Sequence, residues 1–409
     1  MSASLSLAPP DQPVSRVDEL AGFVPATVDA EYLRTLGVTV QPAAATLAGL
    51  ARGSANLRRR LATGTLVPRA VVTPARIALD SPLEIHNYTG SCPTLTYELN
   101  PVVGCHVGCL YCLVTDGSHE QELRLYANYP ELVAQVLEQT WREPHFFYFS
   151  PKTEAFQEPT LATGVAHGIL RAFIAHYRRH PGSRARLFVA SKAGAQQLAR
   201  RHAGESILDL FAELPGRMQF NTSISIMPEP LRRLLEPHAA TLDERLEAVQ
   251  LCQARGVLAS SALIQPILPT GLTDARLDAY FARLAAAGLV NFKPELLTVA
   301  PECLAIIGQL VGHFARDEER ELYEAYVAPD NVDHKKQRDR TAPDRELSRD
   351  LILRLIAAGR DHGLSASICA WVRAALGISE ETIPLVNERG YQCLGYQVRL
   401  FDDAPGEAS

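Results

Sequence analysis

From about residue 93 onward, short apolar blocks alternate with longer amphipathic stretches. Blocks rich in Val, Ile, Leu and Phe at 94–103, 146–149, 186–191, 218–226, 257–264 and 289–293 predict buried parallel strands. The intervening segments 129–141, 161–180, 193–211, 242–255 and 273–287 predict helices. Thr241, followed by Asp243 and Glu244, reads as a capped helix start with early acids. Strand–helix alternation repeated about six times implies a parallel α/β sheet, arranged as an open or partial barrel.

Outside this region the pattern changes. Residues 1–90 read as an N-terminal extension, irregular or Pro-rich at 1–16 and 67–82, with an Ala- and Arg-rich stretch at 47–61 that favours helix. Residues 91–300 hold the barrel pattern. Residues 301–409 are mostly helical and are expected to cover the barrel mouth, with a charged run at 333–349 on the surface or over a site. There is no internal repeat and no heptad run.

Composition narrows the class. The chain has 409 residues, 47% of them hydrophobic, which suffices for a large core. Charged residues make up 21%, which argues against wholesale disorder. Forty basic against 46 acidic residues give a net charge of −6, which does not favour a dedicated nucleic-acid binder, although a local basic groove is compatible with it. The first residues carry no basic cluster and are interrupted by Pro9, Pro10 and Pro13, so no export signal is expected. No apolar run reaches the roughly 18 residues of a membrane span. The expected location is therefore the cytoplasm, where the eight cysteines would be reduced and open to metal or catalytic use.

The densest chemistry lies in Cys105-His106-Val107-Gly108-Cys109-Leu110-Tyr111-Cys112, in the loop after the first predicted strand. A [4Fe-4S] cube needs soft thiolates at close quarters. Three cysteines leave one iron without a protein ligand, and such an iron can take the amino and carboxylate groups of S-adenosylmethionine (SAM). A zinc site, with His106 as fourth ligand, is the alternative for the same residues. The CxxxCxxC spacing, with aromatic Tyr111 before the last cysteine, resembles the radical SAM superfamily. That resemblance implies a [4Fe-4S] cluster on Cys105, Cys109 and Cys112. It also implies one-electron cleavage of SAM to a 5′-deoxyadenosyl radical, hydrogen abstraction from a substrate, and an external electron donor such as flavodoxin or ferredoxin. The protein then orients the substrate and excludes water.

Candidate SAM contacts lie at strand ends, where such sheets place their chemistry. Ser150, Thr153 and Glu154 follow the second strand, at the place where the resembled enzymes carry a polar segment beside the SAM amino group. Ser191 and Lys192 end the third, and a lysine there suits the SAM carboxylate. Asn221, Ser223 and Ser225 share one face of the fourth by period-two geometry and suit ribose or carboxylate. For each of these a solvated or structural role is the alternative. Ser260, Ser261 and Gln265 mark the fifth strand; Lys293 and Glu295 end the sixth and either face a substrate or pair with each other.

Residues 94–295 resemble the spore photoproduct lyase-like branch of that superfamily. The likeness rests on Asn128-Tyr129-Pro130-Glu131-Leu132, Ser191-Lys192, Phe220 to Ser225, Glu236-Pro237, Arg245, Gly256 and Pro266-Ile267, in that order. It singles out Lys192 and Ser223 as SAM-carboxylate contacts. The chain departs from that branch in lacking a hydrogen-donating cysteine near the second strand, since none occurs between Cys112 and Cys252. The acidic net charge also suits duplex DNA poorly. Cys92, Cys252, Cys303, Cys369 and Cys393 are scattered, so a second cluster is not expected. Cys369, Cys393, Tyr391 and Tyr396 are candidate hydrogen donors, with a buried structural role as the alternative for each cysteine. The basic stretch from His334 to Arg340 is a candidate for phosphate or carboxylate contact.

The sequence thus predicts a radical SAM enzyme acting on a small-molecule or nucleoside-like substrate, with specialised biosynthesis as its setting. Nucleic-acid repair or modification and a non-enzymatic metal-binding module are the alternatives.

Overall fold

The structure is a computed structural model that describes residues 71–85, 96–112, 122–142, 145–236, 238–299, 304, 307–308, 310–312, 315–326 and 342–398. The helix expected at 47–61, Cys92, Cys303 and the basic stretch from His334 to Arg340 lie outside the described residues.

Strands β1 (Val71–Ala75), β4 (Val102–Val103) and β5 (Glu122–Tyr126) form a small sheet. The main sheet takes β2 (Glu84–Ile85), β3 (Thr96–Leu99), β6 (Phe146–Phe149), β7 (Arg186–Ser191), β10 (Met218–Ile224), β11 (Leu258–Ile267), β12 (Asn291–Leu296) and β13 (Ser365–Ala366). Hairpins β8 (Arg201–His202)/β9 (Glu205–Ser206) and β14 (Tyr391–Gln392)/β15 (Tyr396–Gln397) stand apart. The main sheet runs β13-β12-β11-β10-β7-β6-β3-β2, and every neighbouring pair is parallel except β2 with β3. Sequential order with helical crossovers is what the strand–helix alternation predicts.

Period-two geometry divides the sheet into two faces. Phe147, Phe149, Leu187, Val189, Met218 and Phe220 face helices such as Tyr129–Thr140 and Val165–Arg179, and join the large core with Leu132, Val133, Ile169 and Phe173. Phe146, Tyr148 and Phe188 face the other way and pack on Tyr396 of β15. A third apolar group gathers at the carboxyl ends of the strands. There Cys105, Cys109, Leu110 and Tyr111 pack with Leu268, Leu297 and Val299 and with Ile307, Leu310, Leu322 and Tyr326 from the C-terminal region.

The predicted strands at 146–149 and 186–191 form over those residues, and the helix from Leu242 carries the expected cap. Thr241 Oγ1 accepts from the Glu244 amide at 3.2 Å, and Glu244 accepts from the Thr241 amide at 2.7 Å. Three expected elements divide. The strand expected at 94–103 breaks at Pro101, where proline withholds a ladder donor, and β4 joins the other sheet. The helix expected at 161–180 is interrupted at Gly164, whose φ is +75°. The segment 193–211 becomes two short helices around the β8/β9 hairpin, because Ala203 (φ +51°) and Gly204 (φ +89°) make a left-handed turn.

Candidate active site

The cysteine loop leaves β4 at the carboxyl end of β3 and is docked by its backbone. Leu110 N donates to Leu235 O at 2.9 Å, His238 N to Val107 O at 3.3 Å, and His106 N to Gln157 Oε1 at 2.7 Å. The His106 and His238 rings stack at 4.4 Å. Gly108, at φ +73°, supplies the left-handed turn that brings Cys109 back toward Cys105. Cys105 and Cys109 are buried and Cys112 half-buried. Burial, with Cys112 nearby, pushes the Cys105 thiol up to about 12. Burial raises Cys109 further, against the pull of Lys192 and with the push of Glu236, Cys112 and Cys105. All three cysteines pack in one apolar group.

They are not, however, gathered around a point. The three sulfurs do not all lie within 4.8 Å of one another, whereas thiolates on one tetrahedral zinc ion stand about 3.8 Å apart. That spacing fits a single tetrahedral ion poorly.

Beside the cysteines lies a buried charged network. Glu236 is fully buried and takes hydrogen bonds from the Tyr111 hydroxyl and from Arg245 Nη2, with Ser225 Oγ at 3.5 Å. Lys192 Nζ lies 3.6 Å from Glu236, donates to Ser223 Oγ at 2.9 Å, and sits 5.9 Å from the Tyr111 ring centroid. Arg245 also donates to Ala240 O and Ser223 O, each at 2.8 Å. Burial alone would raise the Glu236 carboxyl, but Arg245 and Lys192, with the Tyr111 hydroxyl, hold it at about 2.

The segment after β6 completes the mouth. Glu154 is buried and accepts from Ser191 Oγ at 2.5 Å, Lys192 N at 2.8 Å and Phe156 N at 3.1 Å. Its own amide reaches the Cys105 sulfur. Ser150 holds φ at +54°, a conformation a non-glycine residue adopts at a cost and one that gathers at functional sites. Ser150 Oγ, Thr153 Oγ1 and Gln157 Nε2 are buried and have no partner among the described residues. Orphaned polar atoms beside the cysteine loop mark where a polar group would be received. They fit the amino, carboxylate and hydroxyl groups of SAM.

The structure places Tyr111, Glu154, Ser191, Lys192, Ser223 and Ser225 in one network beside the cysteines. Asn221 goes elsewhere. Its amide donates to Gly395 O at 3.1 Å and accepts from Gln219 Nε2 at 2.7 Å, so it holds the β14/β15 hairpin. Tyr391 lies in the same lower layer, hydrogen-bonded to Ser260 Oγ. Lys293 and Glu295 pair at 2.6 Å. Burial opposes the Lys293 charge, but Glu295, with Cys369 and Cys393 nearby, raises its pKa. Those two candidate donors thus lie near Lys293 of β12. Cys252 is core, as expected. Sequence reasoning gave no role to Gln157 or to the His106–His238 stack, and it noted Glu236 and Arg245 only as part of a family layout. They sit among other polar and charged residues, so nothing local in the sequence sets them apart.

No family model matches the sequence, and no curated protein matches it. Solved structures do match. A Cys→Ser mutant of spore photoproduct lyase superposes with a TM-score of 0.50 at 18% identity, covering 76% of this chain and 84% of that one. A Cys→Ala mutant of the same lyase gives a TM-score of 0.50 at 17% identity over the same shares. The lyase complexed with dinucleoside spore photoproduct follows at 0.48 and 16%, covering 82% and 92%. The class so defined is an α/β fold built on a parallel sheet. Within it, the fold is similar to that of spore photoproduct lyase.

Proposed function

We propose that the chain is a radical SAM enzyme whose main sheet is a partial barrel, with Cys105, Cys109 and Cys112 as the ligands of a [4Fe-4S] cluster at its mouth. The observation that carries this reading is the packing of the three cysteines in one group with Tyr111, which joins them to a buried Lys192–Ser223–Glu236 network and to three orphaned polar atoms. When bound and reduced, the cluster supplies the electron that cleaves SAM to methionine and a 5′-deoxyadenosyl radical, which takes hydrogen from a substrate.

The protein's share is positioning. Lys192 is held between Ser223 and Glu236, with its charge directed toward Cys109. A SAM carboxylate taken up there replaces a weak 3.6 Å contact with Glu236 and leaves that residue paired with Arg245. Ser150, Thr153 and Gln157 offer the polar contacts on the opposite side of Cys105. Leu268, Leu297, Leu310 and Tyr326 pack over the loop and keep water from it.

The substrate in this reading is a small molecule or nucleoside-like compound. A cleft of about 440 Å³ adjoins the cysteine loop at Gly104 and Thr153 and is lined by Glu84, Glu98, Lys152 and Tyr129. That size suits a metabolite, and two carboxylates against one lysine do not suit a polyanion. Nucleic-acid repair is the second reading, favoured by the fold shared with spore photoproduct lyase. Cys369 and Cys393 remain candidate hydrogen donors through their closeness to Lys293. The test is anaerobic reconstitution with iron and sulfide, then incubation with SAM and a reductant. The reading expects 5′-deoxyadenosine from the parent chain and none above background from Cys109→Ala. Equal yields from both would overturn it. Deuterium transfer from labelled small molecules, or its absence with them and presence with labelled oligonucleotide, separates the two substrate classes.

A further inference from the structure

One group of metal-ligating side chains has no part in that chemistry. His176 and His180 stand four residues apart at the C-terminal end of the Val165–Arg179 helix, so their rings share a face. Glu138, in the last turn of the packed Tyr129–Thr140 helix, reaches both. Its Oε2 lies 2.8 Å from His180 Nε2, and its Oε1 lies 3.4 Å from His176 Nδ1. Among the described residues this is the group of three whose ligand atoms all fall within 4.8 Å of one another.

We propose that Glu138, His176 and His180 form a binding site for a divalent ion of the zinc class, which clamps the two helices together. Two imidazoles and a carboxylate are a borderline donor set, suited to zinc and its neighbours rather than to calcium or magnesium. Zinc bonds of about 2.0–2.1 Å give ligand–ligand edges of roughly 3.3 Å, and the two imidazole nitrogens lie 2.8 and 3.4 Å from separate oxygens of the Glu138 carboxylate. His176 is fully buried, with Nδ1 turned toward Glu138. Its other nitrogen, Nε2, lies 2.8 Å from Ser183 Oγ, which also accepts from Ala185 N at 3.3 Å. A hydroxyl there can accept from Nε2–H, a tautomer that offers Nδ1 to an ion. Trp141 stacks on His180 at 4.6 Å and sets its ring plane.

Two further features favour a cation. Both helices end here, so their C-terminal carbonyls present partial negative charge. Arg179 occupies Glu138 now, with Nη2 at 2.6 Å and Nε at 3.1 Å, but its side chain is half-exposed and can turn to solvent. The site sits beside Ser183 and Arg186, at the amino end of β7 and so at the opposite end of the strands from the cysteines. In sheets of this kind that end serves stability, and the ion is structural.

The test uses zinc alone as probe on two forms of the full, untagged chain. One carries the reconstituted cluster; the other is the triple variant Cys105→Ala, Cys109→Ala, Cys112→Ala. One equivalent of zinc is expected in each, with a rise in Tm, and at least a tenfold weaker affinity in His180→Ala and in Glu138→Gln. Since His180 and Glu138 are partly exposed, those variants are expected to fold, and their zinc-free Tm checks that they do. No zinc uptake by either form, or uptake unchanged by both substitutions, would overturn the proposal.

Discussion

One strand, β10, presents two different chemistries on one face. Gln219 and Asn221, at its amino end, are covered by the C-terminal hairpin: Gln219 Nε2 donates to Gly395 O at 2.6 Å and Gln397 N donates to Gln219 Oε1 at 2.8 Å. Ser223 and Ser225, one and two steps further on, meet Lys192 and Glu236. The lower half is a neutral, satisfied ladder that continues through Ser261 and Asn291 to Asn387. The upper half is charged, and it leaves Ser150, Thr153 and Gln157 unsatisfied. Alternation along a strand decides which residues share a face. What lies over that face decides whether they hold the fold together or await a ligand.

Four substitutions break or sharpen this contrast. Removing the centre of the upper half has the largest effect. Glu236→Ala leaves Arg245, which is almost fully buried, without its partner and is expected to cost about 3–5 kcal/mol in chemical denaturation. Gly395→Ala comes next. A Cβ there would stand 2.6 Å from Ser261 Oγ at a φ of +70°, so a loss of about 2 kcal/mol is expected, with iron content per chain unchanged. Asn221→Ala strips a donor from the Gly395 carbonyl and is expected to cost roughly 1–3 kcal/mol while leaving the apparent affinity for SAM intact. Ser223→Ala is expected to do the reverse, with stability falling by less than about 1 kcal/mol and SAM binding weakening several-fold. If the two single variants behaved alike in both assays, the division of β10 would be lost.

A further effect is pH-dependent. Glu236 has a folded pKa of about 2 against 4.5 for the ordinary carboxyl. The unfolded chain therefore binds a proton more readily, and the stability this group provides is complete above pH 4.5 and is lost as pH falls toward 2. Glu236→Gln is expected to flatten that acid limb of the Tm profile. A limb of unchanged steepness would assign it to other groups.

Much of the upper half was legible in the sequence because its signals are local. The cysteine spacing lies within eight residues, Ser191-Lys192 ends a block of five apolar residues and an arginine, and period two grouped Asn221 with Ser223 and Ser225. The same rule could not divide that trio, because Asn221 is claimed by a segment more than 170 residues away. The Glu236–Arg245 pair was hidden for a related reason. A buried carboxylate and guanidinium read as surface charges until the Tyr111 hydroxyl and Lys192 are seen to enclose them. Helix breaks at Gly164 and Ala203-Gly204 lay within sight, but strong flanking periodicity outweighed single turn residues.

The most direct test of the central claim is electron paramagnetic resonance of the reconstituted, reduced chain, recorded with and without SAM. The account predicts a cluster signal that changes shape when SAM is added and weakens or vanishes on substitution of any one of Cys105, Cys109 or Cys112. A signal indifferent to SAM, or one that survives all three substitutions, would contradict it.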